Sequence, residues 1–230
     1  KDPDGSVRDA ATLALTRLGE EKYVDGILEA LESGDAQIRV NAVSALGDIR
    51  SPSALPYLET LAQDPSDSVR TAVMEALGKI GDKEAFAMLE KGVSDSNNLV
   101  RAKAIYSLAL LKDMRALPLF QRLLLTVPGL ESGSANKSEN PYIQLLALAG
   151  LARLGQKVDL ALLRQALFQK DVDIKILVVE ILEHLGGNAS IENLELALDD
   201  GDMRVRVRAA AALVKLLQRP LHDDNASWKN

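Results

Sequence analysis

The sequence contains no cysteine and few aromatic residues, with one Trp, four Tyr and three Phe among 230 residues. The absence of cysteine excludes disulfide bonds, thiolate metal sites and a cysteine nucleophile. The scarcity of aromatic rings argues against stacking surfaces for bases or sugars. No run approaches the roughly 18 apolar residues that a membrane span needs, and the first residues carry no export-signal pattern. What remains, 47% apolar and 26% charged residues, is the composition of a globular chain.

A period of 31 residues runs through almost the whole chain. A basic residue recurs at the same position of the repeats, and we call this set of positions the basic column. Twelve extra residues separate the fourth repeat from the fifth, and the fifth repeat carries Gln144 in place of the basic residue. The column reads Arg8, Arg39, Arg70, Arg101, Gln144, Lys175 and Arg206. We number the other positions of a repeat by their offset, the number of residues after the basic column. The residues at offsets minus one, three, seven and ten are apolar, and the residue at offset seven is always Leu. These offsets share one face of an α-helix, so the pattern predicts one amphipathic helix per repeat.

The ends of this first helix are also marked in the sequence. Residues suited to the N-cap stand four positions before the basic column, because their short side chains accept hydrogen bonds from the first turn. They are Asp4, Asp35, Ser66, Asn97, Asn140, Asp171 and Asp202. Glycines that suit a left-handed C-terminal cap follow four of the helices. They are Gly19, Gly81, Gly155 and Gly186.

A second apolar pattern in each repeat, such as Leu55 with Leu58, predicts a second, antiparallel helix. A single helix pair cannot bury its apolar faces alone, so neighbouring pairs must stack. The sequence therefore predicts an all-α fold, an α-solenoid of about six and a half two-helix repeats forming one domain over 1–219. A surface loop inserted at 128–139 and a polar tail over 220–230 complete the prediction.

Four segments carry a resemblance to a known family: Asp-Ser-Val-Arg at 67–70, Ala-Leu-Gly-Lys-Ile-Gly-Asp at 76–82, Ala-Leu-Pro-Tyr-Leu at 54–58 and Ala-Leu-Pro-Leu-Phe at 116–120. The pattern resembles HEAT-like repeats of the short, phycobilisome-lyase type, from residue 4 to about 219. The resemblance implies the solenoid fold but little chemistry, because the matching residues build the repeat. HEAT-like hydroxylases bind iron through His-Glu dipeptides, which this sequence lacks. HEAT-like DNA glycosylases use a basic, Trp-bearing face, whereas the one Trp here, Trp228, lies in the tail.

Charge is unevenly distributed along the chain. Residues 1–100 carry 10 Lys/Arg against 18 Asp/Glu, whereas residues 101–230 carry 17 against 15. The second helices, which line the concave side of HEAT-like stacks, are mostly acidic and also carry an apolar column. The candidate concave residues are Tyr57, Glu59, Met88, Glu90, Leu119, Leu162, Arg164 and Glu195. They predict either a groove for a basic peptide or protein, or a solvated face over inter-repeat core.

Two further sets of residues have predicted roles. Offsets one and two are expected to face outward, and in the fifth and sixth repeats they hold large apolar residues. These residues predict a convex contact patch, unless the inserted loop folds over them. They are Leu145, Leu146, Ile176 and Leu177. The cations Arg8, Arg39, Arg70, Arg101, Lys175 and Arg206 lie in the first helical turn, where the helix dipole disfavours positive charge. We expect them to form a structural ladder, paired with carboxylates or carbonyls of adjacent repeats.

No catalytic constellation, metal-ligand set or cofactor-binding loop is recognisable, and His184 and His222 are expected to be ordinary exposed side chains. The sequence therefore predicts a non-catalytic scaffold or adaptor that binds a protein or peptide partner, with no cofactor and no nucleic acid. Because no polar cap precedes Val7, we expect either an upstream capping segment that has been removed or a small end-to-end contact between copies. The alternative is a lyase-type subunit that handles a bilin or another prosthetic group. The compartment stays open between the cytoplasm and a bacterial envelope from which a leader has been removed.

Overall fold

The computed structural model describes residues 24–50, 52–125 and 141–218, and over these ranges it contains twelve α-helices and no strand. The α-helices are α1 Val24–Leu31, α2 Ala36–Ile49, α3 Leu55–Leu61, α4 Asp67–Ile80, α5 Phe86–Gly92, α6 Asn98–Leu111, α7 Leu117–Leu125, α8 Pro141–Arg153, α9 Leu160–Leu167, α10 Val172–Leu185, α11 Gly187–Ala197 and α12 Met203–Leu217. Single 3-10 turns at Pro52–Ala54, Lys83–Ala85 and Met114–Ala116 lead into α3, α5 and α7. Long and short helices therefore alternate, two to a repeat.

The long helices begin where the N-cap residues predict. The Asp35 carboxylate accepts from the Gln37 N–H at 2.7 Å, and the side chains of Asn97, Asp171 and Asp202 cap α6, α10 and α12 in the same way. Ser66 is the exception, because its side chain forms no cap hydrogen bond. Asp4 and Asn140 lie outside the described residues. Side-chain capping thus fixes the start of four long helices.

The left-handed C-terminal cap that the glycines predict is present at Gly81. Gly81 ends α4 with φ 73° and donates its N–H to the Leu77 carbonyl. Gly155 also has positive φ, and Gly19 lies outside the described residues. The prediction is wrong for Gly186, because its ψ of -163° places it outside the left-handed helical region. Arg50 and Lys112 adopt φ 57° and 50° at the equivalent positions, so a non-glycine residue also fills this cap in two repeats.

The helices fall into two compact units, Lys1–Asp113 and Met114–Asn230. In the first unit α2, α4 and α6 pack side by side, and α1, α3 and α5 each pack against the following long helix. In the second unit α8, α10 and α12 pack side by side, and α7, α9 and α11 again each pack against the next long helix. This layered arrangement confirms the all-α, α-solenoid fold class. The extent of the single domain over 1–219 stays a prediction, and the loop at 128–139 and the tail at 220–230 lie outside the described residues.

The core consists mostly of aliphatic and small side chains, from the long helices and from the buried faces of the short helices. In every described long helix, the residues at offsets three and seven are buried. In α4 these residues are Val73 and Leu77, both at 0% exposure. Gly78 of α4 lies so close to α6 that an added Cβ would overlap the Ser107 side chain. Gly150 of α8 lies equally close to the Phe120 ring. Such close helix packing leaves little room for aromatic rings, which explains their scarcity in the sequence.

Candidate protein-binding surfaces

Three members of the basic column form paired contacts with carboxylates 25 residues further along the chain. Arg39 donates from Nε and Nη2 to the two Asp64 carboxylate oxygens at 2.8 and 2.9 Å. Arg70 forms the same two-point pair with Asp95 at 2.8 and 3.0 Å. Lys175 donates from Nζ to Asp200 at 2.6 Å. Each pair joins a long helix to the loop before the next long helix, so the column connects neighbouring repeats.

Members of the column also bond to a carbonyl six residues earlier in the chain. The acceptors for Arg39 and Arg70 are the carbonyls of Ser33 and Asp64 at 2.6 and 2.8 Å. Arg101 and Arg206 use the carbonyls of Asp95 and Asp200, both at 2.7 Å, whereas Arg8 lies outside the described residues. A cation in the first helical turn is thus tolerated because carbonyl and carboxylate oxygens surround it.

The three carboxylates of this ladder also accept backbone hydrogen bonds. Asp64, Asp95 and Asp200 each accept from the N–H two residues later, at 2.8 to 2.9 Å, which is the N-cap residue of the next long helix. The Arg70 guanidinium holds the pKa of Asp95 below its ordinary value. Burial raises the pKa values of Asp64 and Asp200, but the hydrogen bonds from Arg39 or Lys175 and from the backbone, together with the nearby positive charge, outweigh burial and lower both. All three groups are therefore charged at neutral pH.

Sequence reasoning missed these aspartates. They stand six residues before the basic column and recur with its period, at Asp2, Asp64, Asp95 and Asp200. In the other repeats the same position holds Ser33, Ser138 or Gln169, so the aspartates recur less regularly than the basic column does. A search for acidic residues that share the 31-residue period would have found the partners.

A cleft of about 410 Å³ opens in the first unit, where two short helices lie over α4. Met74 and Met88 contribute its apolar lining, and Glu59 and Lys91 its exposed charged residues. The remaining lining residues are Ala62, Gln63, Gly92 and Asp95. Since α3 carries Glu59 and α5 carries Met88, the structure brings these two predicted concave residues to one cleft.

The other candidate concave residues do not share this cleft. In the first unit Tyr57 is 45% exposed and Glu90 is exposed. In the second unit Arg164 and Glu195 are exposed, and Leu162 is half-buried. The expectation that Leu119 lines an open groove is wrong, because only 6% of it is exposed. The helix α7 is amphipathic and packs against α8, and Leu119 belongs to its buried, apolar face.

The predicted convex patch is also wrong at three of its four positions. Leu145, Leu146 and Leu177 are buried, at 0%, 1% and 5% exposure, and Ile176 is half-buried. Every residue of α8 from Gln144 to Ala152 is buried. A helix that is apolar all round is buried all round, so offsets one and two of this repeat belong to the core.

Other features of the described residues bear on chemistry. Among residues 24–50, 52–125 and 141–218, no three His, Asp or Glu side chains form a group suited to a metal ion. In the same ranges no helix is both long and apolar enough to cross a membrane. His184 is exposed, and His222 lies outside the described part of the chain.

The helices form pairs, and successive pairs within each unit pack together through their long helices. This arrangement defines the chain as an α-solenoid repeat protein. Its particular family is shown by the match to the HEAT repeats model at residues 1–77, 61–131 and 127–215, and the chain belongs to that family. No curated protein sequence matches this chain.

Solved structures resemble the chain in fold. The complex of CpcE and CpcF of phycocyanin lyase from Nostoc sp. PCC7120 matches with a TM-score of 0.60 and 20% identity, over 94% of this chain and 91% of that chain. An archaeal HEAT-like repeats protein from Thermococcus onnurineus NA1 has a TM-score of 0.46 and 15% identity, covering 94% and 98%. Human deoxyhypusine hydroxylase has a TM-score of 0.45 and 23% identity, covering 96% and 82%. At these identities the similarity concerns the fold.

Proposed function

We propose that this chain is a non-catalytic protein-binding scaffold whose first unit binds a basic, extended peptide segment. The observation that carries the proposal is the cleft between α3 and α5, where the half-buried Met88 lies beside the exposed Glu59 and the buried Met74 closes the floor. Clefts with an apolar floor and a few charged groups at the edge are typical binding sites for extended peptides.

Charge around the cleft selects the class of peptide. Glu59 and Lys91 are the exposed charged residues that line the cleft. Outside the lining, the exposed carboxylates Glu29, Glu32 and Glu90 lie on the short helices or just beyond them, and the exposed cation Lys83 precedes α5. Asp95 is already paired with Arg70, so its charge is compensated. A peptide that alternates cationic and apolar side chains would place cations on these carboxylates and an apolar group over Met88. The same charge disfavours nucleic acid, whose phosphates would be repelled.

The lyase-type alternative finds no support at this cleft. Its eight lining residues include no aromatic or histidine side chain, and Lys91 is the one cation among them. A tetrapyrrole with propionate groups is ordinarily held by aromatic and basic residues, so this lining suits a peptide better. At 20% identity, the phycocyanin lyase complex supports the repeat fold alone.

The experiment measures binding of a fluorescent octapeptide of alternating Lys and Leu by anisotropy. We expect Glu59→Lys to weaken binding by about tenfold, because it replaces attraction with repulsion. Lys91→Glu should strengthen binding, whereas Glu192→Lys on the exposed surface of α11 should leave it unchanged. Raising the salt concentration should weaken binding by wild type and abolish the difference between the two cleft variants.

Opposite responses at Glu59 and Lys91 separate charge from folding, because a damaged cleft would weaken binding in both variants. Equal affinity of wild type, Glu59→Lys and Lys91→Glu would contradict the proposed groove. An octapeptide of alternating Glu and Leu that bound as tightly as the Lys peptide would contradict the proposed charge preference.

A further inference from the structure

Asp95 belongs both to the ladder and to the cleft of the first unit. Its carboxylate pairs with Arg70, and its side chain is 14% exposed. The same residue lines the cleft between α3 and α5, together with Met88 and Lys91. The other two ladder carboxylates are not among the residues that line this cleft. A molecule bound in the cleft would therefore meet a carboxylate that the stack of long helices already holds in place.

The hydrogen bonds of the Asp95 carboxylate leave one acceptor position unused. Oδ1 accepts from Arg70 Nη2 at 3.0 Å and from the Asn97 N–H at 2.8 Å, and Oδ2 accepts from Arg70 Nε at 2.8 Å. An ionised carboxylate offers about four lone-pair positions. Three of them are filled within the described part of the chain, so the unused position is on Oδ2. A donor bound in the cleft can fill it.

Charge decides which kind of donor fits this position. Arg70 compensates the Asp95 carboxylate, so a second cation would gain little attraction from the pair and would lie close to the guanidinium. A neutral N–H donor meets no such repulsion, and a hydrogen bond to an ionised acceptor is stronger than one between neutral groups. Every peptide carries neutral N–H donors along its main chain, one at each residue other than proline.

We propose that Asp95 binds the main chain of the peptide, by accepting a hydrogen bond from one of its N–H groups on Oδ2. This inference rests on the proposed function, in which an extended peptide occupies the cleft. Glu59 then selects the charge of the peptide. Asp95 sets the register in which the peptide binds, because one residue must present its N–H to an acceptor fixed by the ladder.

A second polar group of the lining suits the same kind of recognition. Gln63, just after α3, is exposed and lines the cleft. Its side-chain amide is neutral and can donate to a main-chain carbonyl. The cleft thus offers an acceptor and a donor for the main chain, in addition to the charges of Glu59 and Lys91.

Asp64 supplies a matched control for Asp95. Its carboxylate accepts the same three bonds, from Arg39 Nε and Nη2 at 2.8 and 2.9 Å and from the Ser66 N–H at 2.8 Å. Its side chain is 5% exposed, and it is not among the residues that line the cleft. Asp64→Asn and Asp95→Asn therefore weaken equivalent ladder bonds, and only Asp95→Asn changes a residue of the cleft.

The test combines Asp95→Asn with peptides that each lack one main-chain N–H. Each Leu of the Lys and Leu octapeptide is replaced in turn by N-methyl-leucine, and binding to the whole chain is measured by anisotropy. We expect one position at which N-methylation weakens binding to wild type about tenfold, and binding to Asp95→Asn less than about twofold. The reason is that the amide keeps a single oxygen, for which Arg70 and the Asn97 N–H compete. Asp64→Asn should respond as wild type does.

N-methylation leaves the charge of the peptide unchanged, so a purely electrostatic role of Asp95 would not produce this coupling. The inference is overturned if no N-methylated peptide binds wild type more weakly than the parent peptide, or if N-methylation weakens binding to Asp95→Asn by the same factor. It is also overturned if Asp64→Asn removes the effect, since the ladder and not a contact in the cleft would then be responsible.

The outcomes for the cleft and for Asp95 are separable. A parent peptide that does not bind wild type overturns the proposed function and this inference together. Binding that is insensitive to Glu59→Lys but keeps the coupling between N-methylation and Asp95→Asn overturns the charge preference and supports main-chain recognition. Circular dichroism checks the helicity of both variants. The scan on wild type needs no variant, so an Asp95→Asn protein that does not fold still leaves the inference falsifiable.

Discussion

At the scale of single residues, each ladder carboxylate forms hydrogen bonds with two parts of the chain. Asp95 accepts from the Arg70 guanidinium of the preceding long helix and from the Asn97 N–H that begins the next one. The pair is mostly buried, with side-chain exposures of 12% and 14%. Removing one partner of such a pair is costly because the other keeps its desolvated charge. These residues therefore contribute to the geometry of stacking as well as to stability.

We expect Asp95→Asn to lower the free energy of unfolding at pH 7 by about 1–3 kcal/mol, since Arg70 loses a charged acceptor. The pKa of Asp95 in the folded state is below its ordinary value of 3.8. Its contribution to stability is therefore present above that ordinary value and is lost as the pH falls through the lower, folded-state pKa. Urea denaturation at pH 7 and pH 3 should show the gap between wild type and variant narrowing at pH 3. The exposed Asp199→Asn serves as control, and a gap that stayed constant with pH would contradict the assignment.

At the scale of helices, small residues set the distance between neighbouring long helices. Gly47 and Gly78 occupy equivalent positions in α2 and α4, and each faces a small residue of the next long helix, Ala76 or Ser107. Ser107 is also fixed, because its hydroxyl donates to the Met74 carbonyl at 2.7 Å. An added methyl group must therefore push two helices apart.

We expect Gly78→Ala to destabilise the chain by about 1–3 kcal/mol, the usual effect of overpacking a core. Gly34→Ala is the matched control, since a Cβ there meets nothing within 4 Å, and it should leave the free energy of unfolding nearly unchanged. Thermal or urea denaturation of both variants measures the difference. Equal stability of the two variants would show that α4 and α6 can separate without loss.

At the scale of the whole molecule, contacts between helices are almost entirely between neighbours along the chain. Within each unit, the long helices pack on their neighbouring long helices and on the short helices beside them. Stability in such proteins is approximately a sum over repeats and their shared interfaces. A local defect should therefore weaken nearby repeats more than distant ones.

Hydrogen exchange on the Gly78→Ala variant tests this expectation. Amides of α2, α4 and α6 should exchange faster than in wild type, whereas those of α10 and α12 should change little, because local openings involve contiguous segments. A uniform increase over both units would mean that the chain unfolds as a single cooperative unit, contrary to the expectation.

The helices and their stacking order were predictable from the sequence, because N-caps, apolar offsets and left-handed caps act within about 14 residues and recur with a fixed period. The carboxylate partners of the ladder were harder to predict, since Arg70 and Asp95 stand 25 residues apart and meet only after two helices have packed. Among the candidate concave residues, Glu59 and Met88 share a cleft, whereas Leu119 lies in the core. Their role in binding a partner stays a prediction.

By itself, the sequence determined that this protein is an α-solenoid of HEAT repeats, because a repeated local pattern specifies a repeated local structure. Only the tertiary structure decided which apolar side chains are available to a partner. Leu145 and Val207 occupy the same offset in their repeats, yet Leu145 is buried within α8 and Val207 is exposed on α12. The physical reason is that exposure depends on whether neighbouring elements cover a face, and the periodicity of a single helix carries no information about its neighbours.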